Sequence, residues 1–193
     1  EERATVAHRL CRRIATDVLS DDERTFADEI IQILAKDTAE LVRRTLSVTL
    51  RNSPRLPHEV AVQLAQDVES VAIPLLENSP VFSDEDLIEL VLSVTAAKQA
   101  AIAGRATVSG ALSEVIAEHA GETAVETLAG NTGAELTDRA FEHSIERVPA
   151  NQDMHESLVQ RDHNPVHIAE KMVTLVSGHV TALIINHHDL TCP

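Results

Sequence analysis

The chain has 193 residues, 44% of them hydrophobic, and a mean hydropathy of -0.05, so it holds enough apolar material for a sizeable core and is not expected to be disordered. Trp and Tyr are absent and Phe occurs only at Phe26, Phe82 and Phe141, which removes the aromatic platforms on which single-stranded nucleic acid or sugar rings stack. Sixteen Lys and Arg against 31 Asp and Glu leave a net charge of -15, which disfavours DNA and anionic membrane surfaces.

The charge is unevenly spread. Residues 1–55 hold ten basic and ten acidic side chains, whereas residues 56–193 hold six and 21. An acidic body of this kind serves solubility, and it can also steer a protein partner that has a basic face. Cys11 and Cys192 lie near opposite ends and neither belongs to a CxxC, so neither a disulfide framework nor a thiolate metal site is expected. No apolar run approaches the roughly 18 residues needed to span a bilayer. No signal-peptide pattern opens the chain, and a cytoplasmic protein is expected.

In chain order, almost every segment repeats its apolar residues with helical period. Val6, Leu10, Ile14 and Val18 predict a first helix, with Arg9, Arg12 and Arg13 elsewhere on it. Phe26, Ile30, Ile33 and Leu34 predict the apolar face of a second. Asp37 to Glu40 reads as a capping box opening a third, through Val42, Leu46 and Leu50. Asp67 reads as the N-cap of a helix through Val71 and Leu75, in which Pro74 marks a kink or the first turn. A long final helix is expected from Ala169, Met172, Val173, Val176, Val180, Leu183 and Ile184. No strand is predicted.

A repeat runs through the middle. Asn52-Ser53-Pro54 and Asn78-Ser79-Pro80 recur 26 positions apart, each followed by a helix start, at Leu56-Pro57-His58 and at Phe82-Ser83. Arg105 precedes Val108-Ser109, Asn131 precedes Leu136-Thr137, and Arg161 precedes Asn164-Pro165. Each copy has a short helix that ends at a polar Asn or Arg, a turn, and then an N-cap: Ser83, Ser109, Thr137 and Asn164, with Pro165 at the first helical position. Phe82 with Leu87, and Leu136 with Phe141, are suited to be hydrophobic staples. Helix pairs of this length cannot bury their apolar faces alone, so neighbours must stack. Repeated Pro and Gly interruptions exclude a sustained coiled coil.

From Val42-Arg43 through Leu56-Pro57, Val60-Ala61, Leu64-Ala65, Val71-Ala72, Pro74-Leu75-Leu76 and Ser83-Asp84 to Leu87, the chain resembles an alphaproteobacterial family known as domain of unknown function 2336. Ile102-Ala103, Arg105, Asn131, Ala134-Glu135-Leu136 and Arg161 extend the likeness, which covers about residues 37–165. Asp162-His163-Asn164-Pro165 departs from the Leu-Pro that the family tends to carry after its last Arg. The resemblance implies an all-α fold, a right-handed superhelix of stacked helix pairs of the HEAT/armadillo kind, and an adaptor or signalling role. It supplies no catalytic residues.

The expectation is therefore a single helical-repeat domain of five to six helix pairs over 1–193, with capping helices in 1–36, repeats in 37–165, and a capping helix and tail in 166–193. It would be a non-enzymatic protein-interaction scaffold in bacterial signal transduction, with no cofactor, metal, nucleic acid, membrane or small-molecule partner. Asn52, Asn78, Arg105, Asn131 and Arg161 would line one edge as an interaction ridge, or else simply finish helices.

Two enzyme-like rivals rest on histidines. His8, with Arg12 and Arg13 following, resembles the histidine box of phosphotransfer domains, which requires an exposed imidazole near cations. His58-Glu59 and His155-Glu156 are dipeptides of the sort used by helical-repeat di-iron hydroxylases, with His163, His167 and the His187-His188-Asp189 tail as further ligand types. A DNA-binding solenoid would require the arginines of residues 3–55 to gather on one face. No Walker A, GxGxxG or HExxH motif occurs.

Overall fold

The computed structural model describes residues 2–16, 19–149 and 151–161. Among the described residues there are eleven helices and no strand, so the protein is all-α. The one extended pairing among them is an isolated parallel bridge between Val108 and Ala134. The final helix expected beyond residue 165, the Asn164 cap, Val18, Cys192 and the C-terminal histidines lie outside the described residues. The helices gather into two compact units that divide between Ile102 and Ala103.

The first unit contains α1 (Glu2–Thr16), α2 (Asp21–Ala35), α3 (Glu40–Leu50), α4 (His58–Ala65), α5 (Glu69–Asn78), α6 (Asp84–Ser93) and α7 (Ala96–Ala103), which ends on the division. From α1 to α5 the helices pack on near neighbours and on the next but one: α1 on α2 and α3, α2 on α3 and α4, α3 on α5, and α4 on α5. The second unit contains α8 (Gly110–His119), α9 (Glu122–Gly130), α10 (Asp138–Arg147) and α11 (Gln152–Val159), with α8 on α10 and α9 on α11. In the second unit, α9 to α11 bury Val125, Phe141, Ile145, Met154 and Leu158 in one cluster, against which Leu136 packs, as its expected staple with Phe141 requires.

The apolar stripes expected for the first two helices are buried only in part, at Ile14 of α1 and through Leu34 of α2, which packs against a core cluster. α1 buries Ala4, Ala7, Cys11 and Ile14 and leaves Val6 and Leu10 exposed. α2 buries Ala27, Ile31 and Ala35, while Phe26 and Ile33 face outward. The reason is steric: small residues let helix axes approach closely, and Ala4 and Ala7 meet Val42 of α3 in a tight cluster. Burial also pushes the Cys11 thiol up to about 11, since a thiolate there would lose its water, with a backbone hydrogen bond opposing the rise. Cys11 is thus a small core residue.

Helix starts follow the expected chemistry at Ser83, Ser109 and Thr137, each accepting from a first-turn N–H. Ser83 forms a reciprocal capping box with Asp86, and Ser20 forms another with Glu23 that the sequence reading missed. Two expected caps are corrected. Asp37 does not open α3; its carboxylate accepts from the N–H of Ala39, closing a local turn before a helix whose N-cap, Ala39, has no side-chain bond. Asp67 lies one residue before the Val68 N-cap of α5, and its carboxylate is taken by both Nε and Nη2 of Arg43, at 2.5 and 2.9 Å. That forked pair of hydrogen bonds holds the Asp67 carboxyl below the usual carboxylate range in spite of its burial. Pro74 sits inside α5 rather than in its first turn.

Buried serine hydroxyls bond main-chain carbonyls of neighbouring segments. Ser47 of α3 is fully buried and donates to the Val71 carbonyl of α5 at 2.5 Å. In the second unit Ser113 of α8, also fully buried, donates to the Glu135 carbonyl at 2.5 Å. These bonds satisfy the hydroxyls where burial would otherwise be costly.

His155 of α11 is 1% exposed and its Nε2 has no hydrogen-bond partner. Burial lowers its pKa from the ordinary 6.5, partly opposed by a backbone hydrogen bond to Val148, so the folded imidazole is neutral. The unfolded chain therefore takes up this proton first. Folding stability is expected to fall below pH 6.5, by up to about 1.4 kcal/mol per pH unit, until the lower folded pKa is reached. Urea titrations of wild type and His155→Leu at stepped pH values check this, the variant losing the decline. Asp67 and Asp86, whose values are depressed, lose their stabilisation only lower, as pH falls below 3.8 through their folded values.

Candidate functional site

A helix leaves its last four carbonyls without intrahelical partners and its C-terminus partly negative, so a donor or a cation arriving there is stabilising. Both units supply such donors from about thirty residues downstream. In the first, Gln63 of α4 reaches the Ala35 carbonyl at the end of α2 at 3.2 Å. Lys98 of α7, 6% exposed, reaches the carbonyls of Ala65 and Asp67 after α4 at 3.1 and 2.5 Å. In the second, Arg147 bonds the Ala117 and Ala120 carbonyls at the end of α8, both at 2.8 Å.

The recurring Asn/Arg positions meet this system differently in the two units. Asn131 caps the end of α9, and its Nδ2 donates to the carbonyls of Ala103 and Arg105 at 2.8 and 2.7 Å, while its Oδ1 accepts from Gly133 N–H at 2.9 Å. Arg161 donates to the carbonyls of Ala129 and Asn131 at 3.1 and 2.8 Å, and to that of Ala134. So the side chain of one repeat position grips the main chain of the equivalent position before it: Arg105 by Asn131, Asn131 by Arg161. Asn52 and Asn78 of the first unit are exposed, Asn78 bonding only back to Pro74 of its own helix at 3.0 Å. The five residues are equivalent in sequence, but Asn131 and Arg161 spend their side chains inside the fold.

The same bookkeeping of charge shapes the surface. Of the cations after residue 56, Lys98, Arg147 and Arg161 are directed at carbonyl oxygens, and Arg139 pairs with Glu118 at 3.3 Å. Burial lowers the pKa of both Lys98 and Arg161, the usual consequence of removing a cation from water. Asp67 is held by Arg43, but many of the described carboxylates after residue 56 are exposed. Their densest run is the first turn of α6, with Asp84 and Glu85 exposed, Asp86 half-buried and Glu89 exposed one turn on. A shallow groove of about 230 Å³ between α4 and α6 is lined by Val62, Gln66, Asp86, Glu89, Leu90 and Ser93. His58 engages the Asp86 of this lining, its Nε2 2.9 Å from Asp86 Oδ2. Burial pulls the Asp86 carboxyl upward, but hydrogen bonds from His58 and Ser83 outweigh it and hold it below the ordinary carboxylate range. The groove offers fixed negative charge beside apolar side chains.

The histidine rivals are placed as follows. His8 is exposed on α1, its Nδ1 3.2 Å from Thr49 Oγ1, beside an open groove of about 630 Å³ lined also by Leu41, Arg44 and Val48. His58-Glu59 and His155-Glu156 fall in different units, and His58 is engaged by Asp86. Among the described residues, no group of three or more His, Cys, Asp or Glu is arranged to hold a metal ion. Three of the early arginines are engaged internally: Arg3 with Asp37, Arg43 with Asp67, and Arg55 with the Ile14 carbonyl. No helix among the described residues is long and apolar enough to cross a membrane.

Short helices that pack on near neighbours and on the next but one, cross-linked by side chains that reach back about one repeat, define an all-α protein. The chain belongs to the family described as uncharacterised protein conserved in bacteria (DUF2336), which matches residues 71–192. That span starts later than the likeness read from Val42 onward and ends later too, taking in the segment after Arg161. No curated protein and no solved structure matches the chain.

Proposed function

We propose that this chain is a non-enzymatic interaction scaffold or adaptor in bacterial signal transduction, with its helix pairs stacked in each unit in the HEAT/armadillo manner. The right-handed superhelix expected from the repeats is part of that proposal. The partner is a protein with a basic face, docked on the acidic surface that includes the α4–α6 groove. The observation that supports this reading most lies within the first unit: Lys98 is buried on the carbonyls of Ala65 and Asp67, while Asp84, Glu85 and Glu89 of α6 stay exposed. A cytoplasmic setting accompanies the proposal.

The test replaces Asp84, Glu85 and Glu89 by Asn, Gln and Gln, sparing Asp86 and Ser83 so that the capping box survives. Removing first-turn carboxylates costs about 0.3–1 kcal/mol each in helix stability, too little to unfold the unit. In affinity capture from the source cell, the variant is expected to lose a protein that wild type retains. Equal capture by both, at matched fold content, contradicts the proposal. Phosphotransfer at His8 is kept as the second reading because that imidazole is exposed beside Arg44 in an open groove. It requires phosphoryl label from a kinase that His8→Ala abolishes.

A further inference from the structure

Independently of the acidic surface, we infer that the outer face of α1 and α2 is a self-association surface, on which a second copy of this chain docks with its α1 against α2 of the first. α2 carries two apolar stripes: Ala27, Ile31 and Ala35 enter the core, and Phe26, Ile30 and Ile33, at spacings of four and three, share the adjoining face. Phe26 is 66% exposed and Ile33 70%, large apolar areas for one helix face to leave open. Beside them Leu10, Ile14, Leu19, Phe26 and Ile30 surround a hollow of about 190 Å³ whose rim includes Arg13 and Glu23. A cavity of about 150 Å³ already holds a benzene ring, so the hollow has room for an apolar side chain from outside.

Charge selects the occupant. α1 has four arginines and one glutamate, whereas α2 has five acids and one arginine. A two-fold arrangement places α1 of each copy on α2 of the other, and both halves of such an isologous contact are then attractive. Placing α1 on α1 would bring like charges together. Residues 1–55 are electrically balanced, so this end of the chain can meet its own copy without the repulsion that acidic surfaces downstream would impose. A generic basic partner would be favoured by α2 but opposed by α1; a second copy satisfies both.

Sedimentation equilibrium of the full chain over the micromolar range tests this. Wild type is expected to approach twice 21.0 kDa with rising concentration. Phe26→Ser with Ile33→Ser is expected to remain at one-fold mass with an unchanged helical spectrum. Leu92→Ser, which alters an exposed leucine on α6, should leave the dimer intact. Two charge-reversed variants, Arg9→Glu with Arg13→Glu and Asp22→Arg with Glu29→Arg, should each fail to self-associate yet pair when mixed. A wild type that stays at one-fold mass overturns the inference, as does a dimer that survives Phe26→Ser with Ile33→Ser. A dimer lost equally through Leu92→Ser, or charge-reversed variants that do not pair, also overturns it.

Discussion

Replacing Gly133 by alanine is expected to destabilise the protein by about 3 kcal/mol, the upper end of what overpacking costs where the backbone cannot yield. A Cβ at this position would lie 2.1 Å from the Ala106 carbonyl oxygen, which is backbone and cannot swing aside. Both sides of that approach are pinned: Val108 N–H donates to the Gly133 carbonyl, and the Glu135 N–H donates to the Val108 carbonyl. Relief would require breaking the Val108–Ala134 bridge that ties the loop after α7 to the loop after α9. Gly130, three residues earlier at the end of α9, has open space around a built Cβ, so Gly130→Ala is expected to be neutral or stabilising by a few tenths of a kcal/mol, because it restricts the unfolded chain. Urea unfolding midpoints of the two variants measure the contrast. A Gly133→Ala protein as stable as wild type would mean that the two loops can separate freely.

Asn131→Ala is expected to cost about 2–3 kcal/mol, because it removes three hydrogen bonds and leaves the Ala103 and Arg105 carbonyls without this donor. Asn131→Asp should be at least as damaging, since it keeps the acceptor for Gly133 but points a carboxylate at two carbonyl oxygens. The sequence-equivalent Asn52→Ala and Asn78→Ala lie on the surface and are expected to fall within about 0.5 kcal/mol of wild type. The same denaturation series decides the matter. Equal costs at the three positions would mean that the repeat position does one job throughout the chain.

The helix grammar was legible in the sequence because it depends on local chemistry. Ser83, Ser109 and Thr137 cap as read, since a hydroxyl before a helical period has one obvious use. The recurring Asn and Arg positions 52, 78, 105 and 131 mark the ends of α3, α5, α7 and α9. What could not be read was which apolar stripe faces inward. α1 and α2 each carry two, and the choice between Ala4-Ala7-Cys11 and Val6-Leu10 is made by the closeness of α3, a tertiary fact. Asp67 was misplaced for a related reason: its carboxylate has a near use as a cap and a distant one with Arg43, 24 residues away, and the distant one prevails because a forked guanidinium pair is stronger than a cap.

The interaction ridge was only half legible. Spacing showed that Asn52, Asn78, Arg105, Asn131 and Arg161 are equivalent, but carbonyl partners about thirty residues back have no signature in side-chain identity. The α4–α6 groove was anticipated only as part of a general acidic excess. The sequence offers His58 as a candidate ligand, whereas its position opposite Asp86, 28 residues on, depends on the stacking of the helices.

The central claim is that partners read the carboxylates and that the polar ladder belongs to the fold. It is tested most directly by the association rate of a captured partner, measured against salt concentration for wild type, for Asn52→Ala with Asn78→Ala, and for the α6 variant lacking the charges of Asp84, Glu85 and Glu89. Wild type and the asparagine variant are expected to associate alike and to slow steeply as salt rises, with the α6 variant slower at low salt and nearly flat. A salt-insensitive wild-type rate, or a rate lost with the two asparagines and retained without the carboxylates, would contradict it.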